Sequence, residues 1–335
     1  MITRVAINGF GRIGRCFFRA AFGNQNISIV AVNDLAPAEN LAYLLQYDSV
    51  YGKFREKVTA NNGRLVVGGK ETALLNEEDP AKLPWASMKV DIVVESTGLF
   101  TDGAKAQAHI TAGAKRVVIS APGKGEGVAT ILLGANEEKF GTCDITSNGS
   151  CTTNAVSPII GILDEAVGIE RAILNTTHAY TVSQSIVDGV APDDFRRGRA
   201  AAINMGPSST GAAKATALAY PQLKGKFDGI AVRVPIVAGS IADVTFVSKR
   251  PTSIEEINSA LKAAAQTDRW KKVFAASEEP LVSTDILSEP YGSIADLGMT
   301  RVVDGTLVKV LAWYDNEMGY AHTLVQHILQ VAKRI

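Results

Sequence analysis

The residues best suited to chemistry lie around Cys151. It stands inside the polar segment Ser150–Asn154, and the apolar spacing after it predicts a helix that begins near this point and is kinked or limited by Pro158. A helix N-terminus lowers the pKa of a thiol and favours the thiolate, so Cys151 is a candidate nucleophile. The alternative is a buried, inert thiol, which is the interpretation we adopt for Cys16 and Cys143.

His178 is a candidate base for that thiol. It ends a strand-like run, Ala172–Thr177. A histidine distant in sequence can activate a cysteine if the fold brings the two together, which the sequence alone does not show. The other histidines are scattered over predicted helices, and no spacing matches a zinc site, so we expect no metal.

The segment Gly9–Gly14 matches the dinucleotide pattern G-x-G-x-x-G. A short apolar strand, Val5–Asn8, precedes it, a helix over Arg12–Phe22 opens within it, and a second strand ends before Asp34, 20 positions after Gly14. In such a turn the glycines let the backbone approach a pyrophosphate, and the helix N-terminus supplies N–H donors. Asp34 would accept hydrogen bonds from the adenosine ribose, which favours NAD over NADP. The alternative is a structural turn followed by a surface carboxylate.

The elements that must position these residues change in character near Ser147–Ser150. Short apolar strands alternate with helices in the first half, which predicts an α/β domain with a parallel sheet covered on both faces. Longer, alternating strands predict an α+β domain with a mixed or antiparallel sheet in the second half. The predicted strands include Asp91–Val94, Val117–Ser120 and Thr130–Leu133 in the first half. In the second half they include Ile230–Val237, Ile241–Lys249, Leu281–Ile286 and Leu307–Tyr314.

Length and composition are those of a globular protein of about two domains. The 335 residues are 46% hydrophobic and 20% charged, and 34 basic side chains balance 34 acidic ones, so no nucleic-acid partner is indicated. No apolar run is long enough for a membrane span or a signal peptide. Three cysteines do not make a disulfide framework, and a cytoplasmic location is expected.

Four segments together closely resemble phosphorylating glyceraldehyde-3-phosphate dehydrogenases, and the resemblance covers essentially the whole chain. The four are the surroundings of Cys151, Thr177–Thr181, Ser209–Lys214 and Trp313–Glu317. The resemblance implies an N-terminal Rossmann domain over residues 1–150, a catalytic domain over 151–316, and a C-terminal helix, 317–335, that packs back on the first domain. It also implies a homotetramer, with the irregular segment Ser183–Ser209 close to a neighbouring subunit.

The implied reaction converts glyceraldehyde 3-phosphate, inorganic phosphate and NAD to 1,3-bisphosphoglycerate. Cys151 would form a thiohemiacetal and then a thioester, and His178 would act as the base. The matching cofactor positions are Gly9, Gly11, Arg12, Ile13, Gly14, Asp34, Ser120 and Asn316. The matching anion positions are Thr181 and Arg233 for the substrate's phosphate, and Ser150, Thr152, Arg197, Thr210 and Gly211 for the attacking phosphate.

Some positions depart from the family pattern. Ala155 stands where many members have a second cysteine, so an intra-helix disulfide is impossible. Glu78, Gly149 and Met318 replace a basic residue, an alanine and a tryptophan that are common in the family. Gly149 would loosen the approach to the helix, and Glu78 would weaken NAD binding unless another residue takes over the contact. The departures concern fine cofactor preference and the neighbouring-subunit contact rather than the chemistry.

Two other functions stay open. An erythrose-4-phosphate dehydrogenase resembles this family without needing the attacking-phosphate site, and the intact Ser209–Lys214 segment speaks against it. A non-catalytic binding protein that keeps the fold is disfavoured because every expected catalytic position is present.

Overall fold

The structure is a computed structural model that describes residues 2–192 and 194–335; Asp193, in the irregular segment, lies outside the described residues. The chain divides into two compact units. The first comprises the residues up to Ile131, Glu137–Gly149 and Leu324–Ile335, and the second comprises Leu132–Asn136 and Ser150–Thr323. The division therefore falls beside the predicted boundary at residue 150.

The strands of the first unit are β1 Thr3–Asn8, β2 Ile27–Asn33, β3 Tyr47–Asp48, β4 Gly52–Lys53, β5 Val58–Asn61, β6 Arg64–Val67, β7 Lys70–Leu75, β8 Ile92–Glu95, β9 Arg116–Ile119, β10 Val128–Thr130 and β11 Ile145–Ser147. Its helices are α1 Arg12–Ala21, α2 Ala38–Gln46 and α3 Gly103–Thr111.

The second unit contains α4 Cys151–Ala166, β12 Ile169–Ala179, β13 Gly206–Ser209, α5 Ala212–Ala219, β14 Phe227–Val234, β15 Ser240–Ser248, α6 Ile254–Ala265, β16 Phe274–Ser277, β17 Ser293–Val303 and β18 Leu307–Tyr314. The last helix, α7 Met318–Ala332, spans the division between the units at Thr323.

The first unit is built on a nine-stranded sheet of order β10-β11-β9-β8-β1-β2-β7-β6-β5. The strands from β10 to β7 pair in parallel, and β5 and β6 extend this edge antiparallel. All four residues of β8 are buried, as expected for a strand covered on both faces. Because β2 and β8 flank β1, the strand order reverses there, and the carboxyl end of β1 is where such sheets bind ligands.

The second unit is built on a seven-stranded mixed sheet of order β13-β14-β12-β15-β18-β17-β16. β12 pairs in parallel with β14 and antiparallel with β15, which in turn pairs antiparallel with β18. The predicted fold class, a Rossmann domain followed by an α+β domain, is confirmed. None of the helices in the part of the chain that the structure describes is long and apolar enough to cross a membrane.

Some local predictions are wrong. Leu281–Ile286 is a series of turns rather than a strand, because the Asp285 carboxylate accepts from the Val282 N–H (2.7 Å) and holds the backbone in a turn. The predicted strand Thr130–Leu133 instead occupies Val128–Thr130. Pro158 does not end α4, which is buried over most of its length, so tertiary packing outweighs the lost hydrogen bond.

Candidate active site

The second unit brings Cys151 and His178 together. Cys151 is the first residue of α4, where the Ser150 hydroxyl caps the helix by accepting from the Thr153 N–H at 3.1 Å. His178 lies one residue before the end of β12 and is 4% exposed. The Cys151 Sγ lies 3.4 Å from the His178 Nε2. The fold therefore brings the two residues into contact by placing a helix start beside a strand end, which the sequence alone could not show.

Burial keeps both members of this pair neutral. Burial raises the pKa of the Cys151 thiol, against the opposing effects of Arg233 and of hydrogen bonds from Thr152. Burial, with repulsion from Arg233, lowers the pKa of His178 to about 3. The expectation of a low thiol pKa is thus wrong, because desolvation outweighs the helix N-terminus. His178 is an unprotonated base near neutral pH.

The proton on His178 has two competing positions. The Nδ1 atom lies 2.6 Å from the Ala179 carbonyl oxygen and 2.7 Å from the Arg233 Nη1. The carbonyl accepts only from a protonated Nδ1, whereas the guanidinium donates only to an unprotonated one. The first arrangement leaves the Nε2 lone pair facing the thiol, and the second places the ring proton there. A ligand that draws Arg233 away therefore favours the form in which His178 accepts a proton from Cys151.

Two guanidinium groups make this site suitable for anions. Arg233 lies on β14, directly opposite His178 in the parallel pairing, and within the described residues its buried Nε has no hydrogen-bond partner. Burial is the main cause that lowers the pKa of Arg233, and repulsion from Arg197 also lowers it, so the two cations lie close enough to repel each other. Arg197 donates to the Ser208 hydroxyl and pairs with Asp194 at 3.4 Å.

The other predicted anion residues lie at the starts of α4 and α5 or just after the end of β12. Gly211 precedes α5, and the Thr210 hydroxyl accepts from the Ala212 N–H at 3.2 Å. Helix α5, which begins after Gly211, packs against α4, which begins after Ser150. The Thr181 hydroxyl contacts the Ser183 hydroxyl at 3.0 Å. Helix N-termini bind anions through their unpaired N–H groups.

The dinucleotide turn of the first unit has the shape that a pyrophosphate requires. Gly9 has φ +88°, and a Cβ there would lie 2.6 Å from the Thr97 backbone nitrogen. A Cβ at Gly14 would lie 2.2 Å from the Gly9 carbonyl oxygen. Gly11, by contrast, faces open space, and no side chain caps α1. The first amides of α1 are therefore accessible to a phosphate, and the residues present fit NAD.

Asp34 is positioned by backbone donors. Its Oδ2 accepts from the Phe10 N–H at 2.7 Å, and its Oδ1 accepts from the Ala36 N–H at 2.9 Å. Each oxygen keeps a second lone pair for a ribose hydroxyl. Arg12 forms an ion pair with Asp48 at 2.5 Å.

Ser120 and Asn316 complete the predicted cofactor positions, one in each unit. Ser120 follows β9, at the carboxyl edge of the sheet. The Asn316 Oδ1 accepts from the Gly239 N–H (3.1 Å) and the Ser240 hydroxyl (3.0 Å), which leaves its amide nitrogen as the donor.

Comparison with known proteins identifies the family. Residues 3–103 match the family described as glyceraldehyde 3-phosphate dehydrogenase, NAD binding domain, and residues 150–316 match its C-terminal domain. The chain is 48% identical to the glyceraldehyde-3-phosphate dehydrogenases of Mycobacterium avium and Geobacillus stearothermophilus and to glyceraldehyde-3-phosphate dehydrogenase 1 of Bacillus subtilis. These alignments cover all of this chain and 99–100% of each relative. The chain belongs to the glyceraldehyde-3-phosphate dehydrogenase family.

Membership in the glyceraldehyde-3-phosphate dehydrogenase family confirms the resemblance seen in the sequence. It also confirms the predicted cofactor, since the first half carries the family's NAD-binding domain. The chain is an NAD-dependent oxidoreductase.

One residue of this glyceraldehyde-3-phosphate dehydrogenase site was not assigned a role from the sequence. The Tyr314 hydroxyl lies 2.9 Å from the Thr152 hydroxyl and 2.7 Å from the Thr176 hydroxyl, and all three side chains are buried. Burial raises the pKa of Tyr314, so the phenol stays neutral. The sequence signal for such a role was the aromatic pair at the end of β18, because a buried tyrosine usually needs a hydrogen-bond partner for its hydroxyl.

Proposed function

We propose that the chain oxidises D-glyceraldehyde 3-phosphate with NAD and inorganic phosphate to 1,3-bisphosphoglycerate, using Cys151 as the nucleophile. The observation that supports this most is the 3.4 Å contact between the Cys151 Sγ and the His178 Nε2, beside two guanidinium groups. A thiol with an unprotonated base and an anion site is the arrangement that phosphorylating aldehyde oxidation needs.

In the first step, Cys151 attacks the aldehyde carbon. A carbon–sulfur bond forms, the carbonyl electron pair moves to oxygen, and the thiol proton passes through His178 Nε2 to that oxygen. The product is a thiohemiacetal, and His178 is again neutral. The transfer requires His178 in the form that donates from Nδ1 to the Ala179 carbonyl.

In the second step, His178 accepts the hydroxyl proton while a hydride leaves the same carbon. Bound NAD supplies the hydride acceptor. The carbon atom becomes a thioester carbonyl held on Cys151, so the free energy of oxidation is retained in the carbon–sulfur bond. We assign Asn316 to the nicotinamide carboxamide, because its amide nitrogen is available to donate.

In the last step, inorganic phosphate attacks the thioester carbon, and the carbon–sulfur bond breaks with its electron pair going to sulfur. The sulfur takes back the proton that His178 holds, which restores the neutral pair as the acyl phosphate leaves. We assign the substrate's own phosphate to Thr181 and Arg233. The attacking phosphate is assigned to Ser150, Thr152, Arg197, Thr210 and Gly211. Guanidinium groups suit both sites because two parallel N–H donors match two phosphate oxygens.

The cofactor assignments place NAD at the turn from Gly9 to Gly14. Gly11, Arg12 and Ile13 lie at the start of α1, where amides would face the pyrophosphate. Asp34 selects NAD over NADP, because its carboxylate would repel a 2′-phosphate. Ser120 lies at the carboxyl edge of the same sheet.

The experiment that tests this function follows NADH absorbance on addition of glyceraldehyde 3-phosphate. It compares NAD with NADP and runs with and without phosphate or arsenate. We expect fast NAD reduction that requires the oxyanion. Phosphate-independent turnover, or faster turnover of erythrose 4-phosphate, would instead favour the related erythrose-4-phosphate dehydrogenase. Equal use of NADP would contradict the role of Asp34.

We also propose a homotetramer in the cytoplasm, as the family resemblance implies. The observation that supports assembly is a set of exposed apolar side chains in and beside the irregular segment: Val182, Ile186, Val187, Val190, Phe195, Ile203 and Met205. Exposed apolar surface of this extent is typical of protein interfaces. Sedimentation equilibrium should give a mass four times that of the chain, and a monomer mass would exclude the tetramer.

A further inference from the structure

A buried polar network lies beneath the dinucleotide turn, and no step of the chemistry uses it. Its centre is Glu95, the last residue of β8, which is 2% exposed. Asn8, the last residue of β1, lies beside Glu95 in register, and Asn33, the last residue of β2, lies beside Asn8 in turn. The ends of three successive strands are therefore joined through this network.

All four contacts of the Glu95 carboxyl group come from donors. Oε1 accepts from the Thr97 N–H (2.8 Å) and from the Thr97 hydroxyl, and Oε2 accepts from the Asn8 amide nitrogen (2.7 Å). The fourth contact is His109 Nε2, 3.1 Å from Oε2. The Trp85 indole N–H donates to His109 Nδ1 at 3.0 Å, which places the ring proton on Nε2. Glu95 is thus a buried carboxylate held by neutral donors.

From Asn8 the hydrogen-bond network continues through Asn33 to the strand end that carries Asp34, the residue assigned to the adenosine ribose. The Asn33 amide nitrogen donates to the Asn8 Oδ1 at 2.7 Å, which orients Asn8 with its own amide nitrogen towards Glu95. The Asn33 side chain also accepts from the Glu77 N–H (2.9 Å) and donates to the Glu77 carbonyl (2.8 Å). Asn33 is followed directly by Asp34, so the network fixes the backbone that carries this carboxylate.

On its other side the network reaches the glycine turn. Thr97, held by two contacts to Glu95, is the residue whose backbone nitrogen packs against Gly9. The neighbouring Ser96 hydroxyl donates to the Gly9 carbonyl at 2.6 Å. One carboxylate thereby sets the positions of both the pyrophosphate turn and the ribose-binding strand end.

We propose that Glu95 is a positioning residue that preorganises the NAD site. A buried charge is costly unless every lone pair is satisfied, so the network has one low-energy arrangement and locks the strand ends in it. A site held in its binding geometry before the ligand arrives binds more tightly. The proposal rests on NAD binding in this half of the chain.

The test is Glu95→Gln in the full chain, with NAD affinity measured by isothermal titration calorimetry. Whichever way the glutamine side chain is turned, its amide nitrogen would face a donor, because Thr97 donates on one side and Asn8 on the other. We therefore expect NAD affinity to fall about tenfold or more. The kcat at saturating NAD should stay within about threefold, since the reacting groups are untouched. An unchanged NAD affinity in the folded variant would overturn the proposal.

A rescue variant separates hydrogen-bond geometry from general damage. In Asn8→Asp combined with Glu95→Gln, the introduced carboxylate keeps the Asn33 bond and accepts from the glutamine amide. It also lies within reach of the His109 Nε2–H, which is 3.4 Å from the Asn8 Nδ2 atom in the parent chain. We expect this pair to recover most of the NAD affinity, whereas Asn8→Asp alone sets two carboxylates side by side and should bind worse. A pair that binds no better than Glu95→Gln would contradict the network.

Thr146→Val is the matched control. Its buried hydroxyl contacts His327 Nε2 at 2.8 Å in the same unit, outside the Glu95 network. We expect a similar drop in thermal midpoint with unchanged NAD affinity; an equal loss of affinity would assign the Glu95 effect to destabilisation.

If Glu95→Gln does not fold, Trp85→Phe serves as the second variant. It removes the donor that fixes the ring proton of His109 on Nε2 and should weaken NAD binding, and an unchanged NAD affinity would overturn the proposal. Absence of NAD binding by the parent chain would instead reject the cofactor sites.

Discussion

At the scale of single residues, burial and the helix N-terminus act on Cys151 in opposite directions. The local motif predicts a stabilised thiolate, but burial raises the thiol pKa and lowers that of His178. The resting pair is therefore neutral, and the proton moves when substrate arrives. The nucleophile role of Cys151 and the base role of His178 can therefore be tested with separate variants.

Cys151→Ser should reduce NAD reduction below about 1% of the parent, because a hydroxyl is far less acidic than a thiol and the two residues act as a unit. The assay is NADH absorbance under saturating substrates. Cys143→Ser is the control, since the Cys143 Sγ donates to the Ile145 carbonyl at 2.9 Å and a hydroxyl can replace it. Turnover of Cys151→Ser above that limit would exclude Cys151 as the nucleophile.

His178→Asn should slow oxidation by about 10²–10⁴-fold, the usual contribution of a general base. Loss of the proton acceptor should also shift the pH profile of Cys151 alkylation by iodoacetamide to higher pH. NAD affinity should stay nearly unchanged. Equal alkylation rates in variant and parent at pH 7 would show that His178 does not activate the thiol.

At the scale of elements, Tyr314 joins the two that carry the reacting pair. It extends from β18 and contacts Thr152 in the first turn of α4 and Thr176 on β12. Its ring also packs edge-on against His178, with centroids 5.8 Å apart. The spacing of Cys151 and His178 therefore depends on a hydroxyl that touches neither.

Tyr314→Phe should lower the free energy of unfolding by about 1–3 kcal/mol, because it leaves two buried hydroxyls without this partner. It should also lower kcat and shift the alkylation profile of Cys151, with NAD affinity unchanged. Urea unfolding and steady-state kinetics measure these effects.

Tyr220→Phe is the matched control for that variant. The Tyr220 hydroxyl donates to the Ser157 carbonyl on the same helix, α4, at 3.0 Å, and within the described residues it makes no hydrogen bond to β12. It should cost similar stability and spare kcat. If both variants lose kcat equally, the positioning role of Tyr314 is wrong.

At the scale of the whole molecule, buried histidines make stability depend on pH. Burial lowers the pKa of His327 to about 3 and that of His178 to about 3, and it also lowers the pKa of His322. In the unfolded chain these groups titrate near 6.5. Between those values the unfolded state binds more protons, so stability is complete above pH 6.5 and is lost as the pH falls.

His327→Gln should flatten this dependence by up to about 1.4 kcal/mol per pH unit, the effect of one proton. Urea unfolding between pH 7.5 and pH 4.5 measures the slope. Glutamine can keep the contact with Thr146. Above pH 7 the two curves should run parallel, which serves as the internal control, and identical slopes below pH 6 would contradict the assignment.

The sequence by itself determined the family and the two-part fold, and it predicted the sites formed by contiguous residues. The glycine turn and Asp34 are readable because backbone geometry and a strand end are local properties. The segment around Cys151 is readable because a helix start is a local pattern. The strand predicted over Leu281–Ile286 is wrong because a short apolar run does not distinguish turns from strands.

Only the tertiary structure decided the properties that depend on distant neighbours. The 3.4 Å contact of Cys151 with His178 and the role of Tyr314 each join separate elements. The raised thiol pKa reverses the local expectation because desolvation is set by everything that surrounds a group. Glu95 is an ordinary strand residue in sequence and becomes a buried, fully hydrogen-bonded carboxyl group only when the sheet forms. Neighbours in sequence set the local backbone conformation, whereas tertiary packing sets the burial and hydrogen bonding of each side chain.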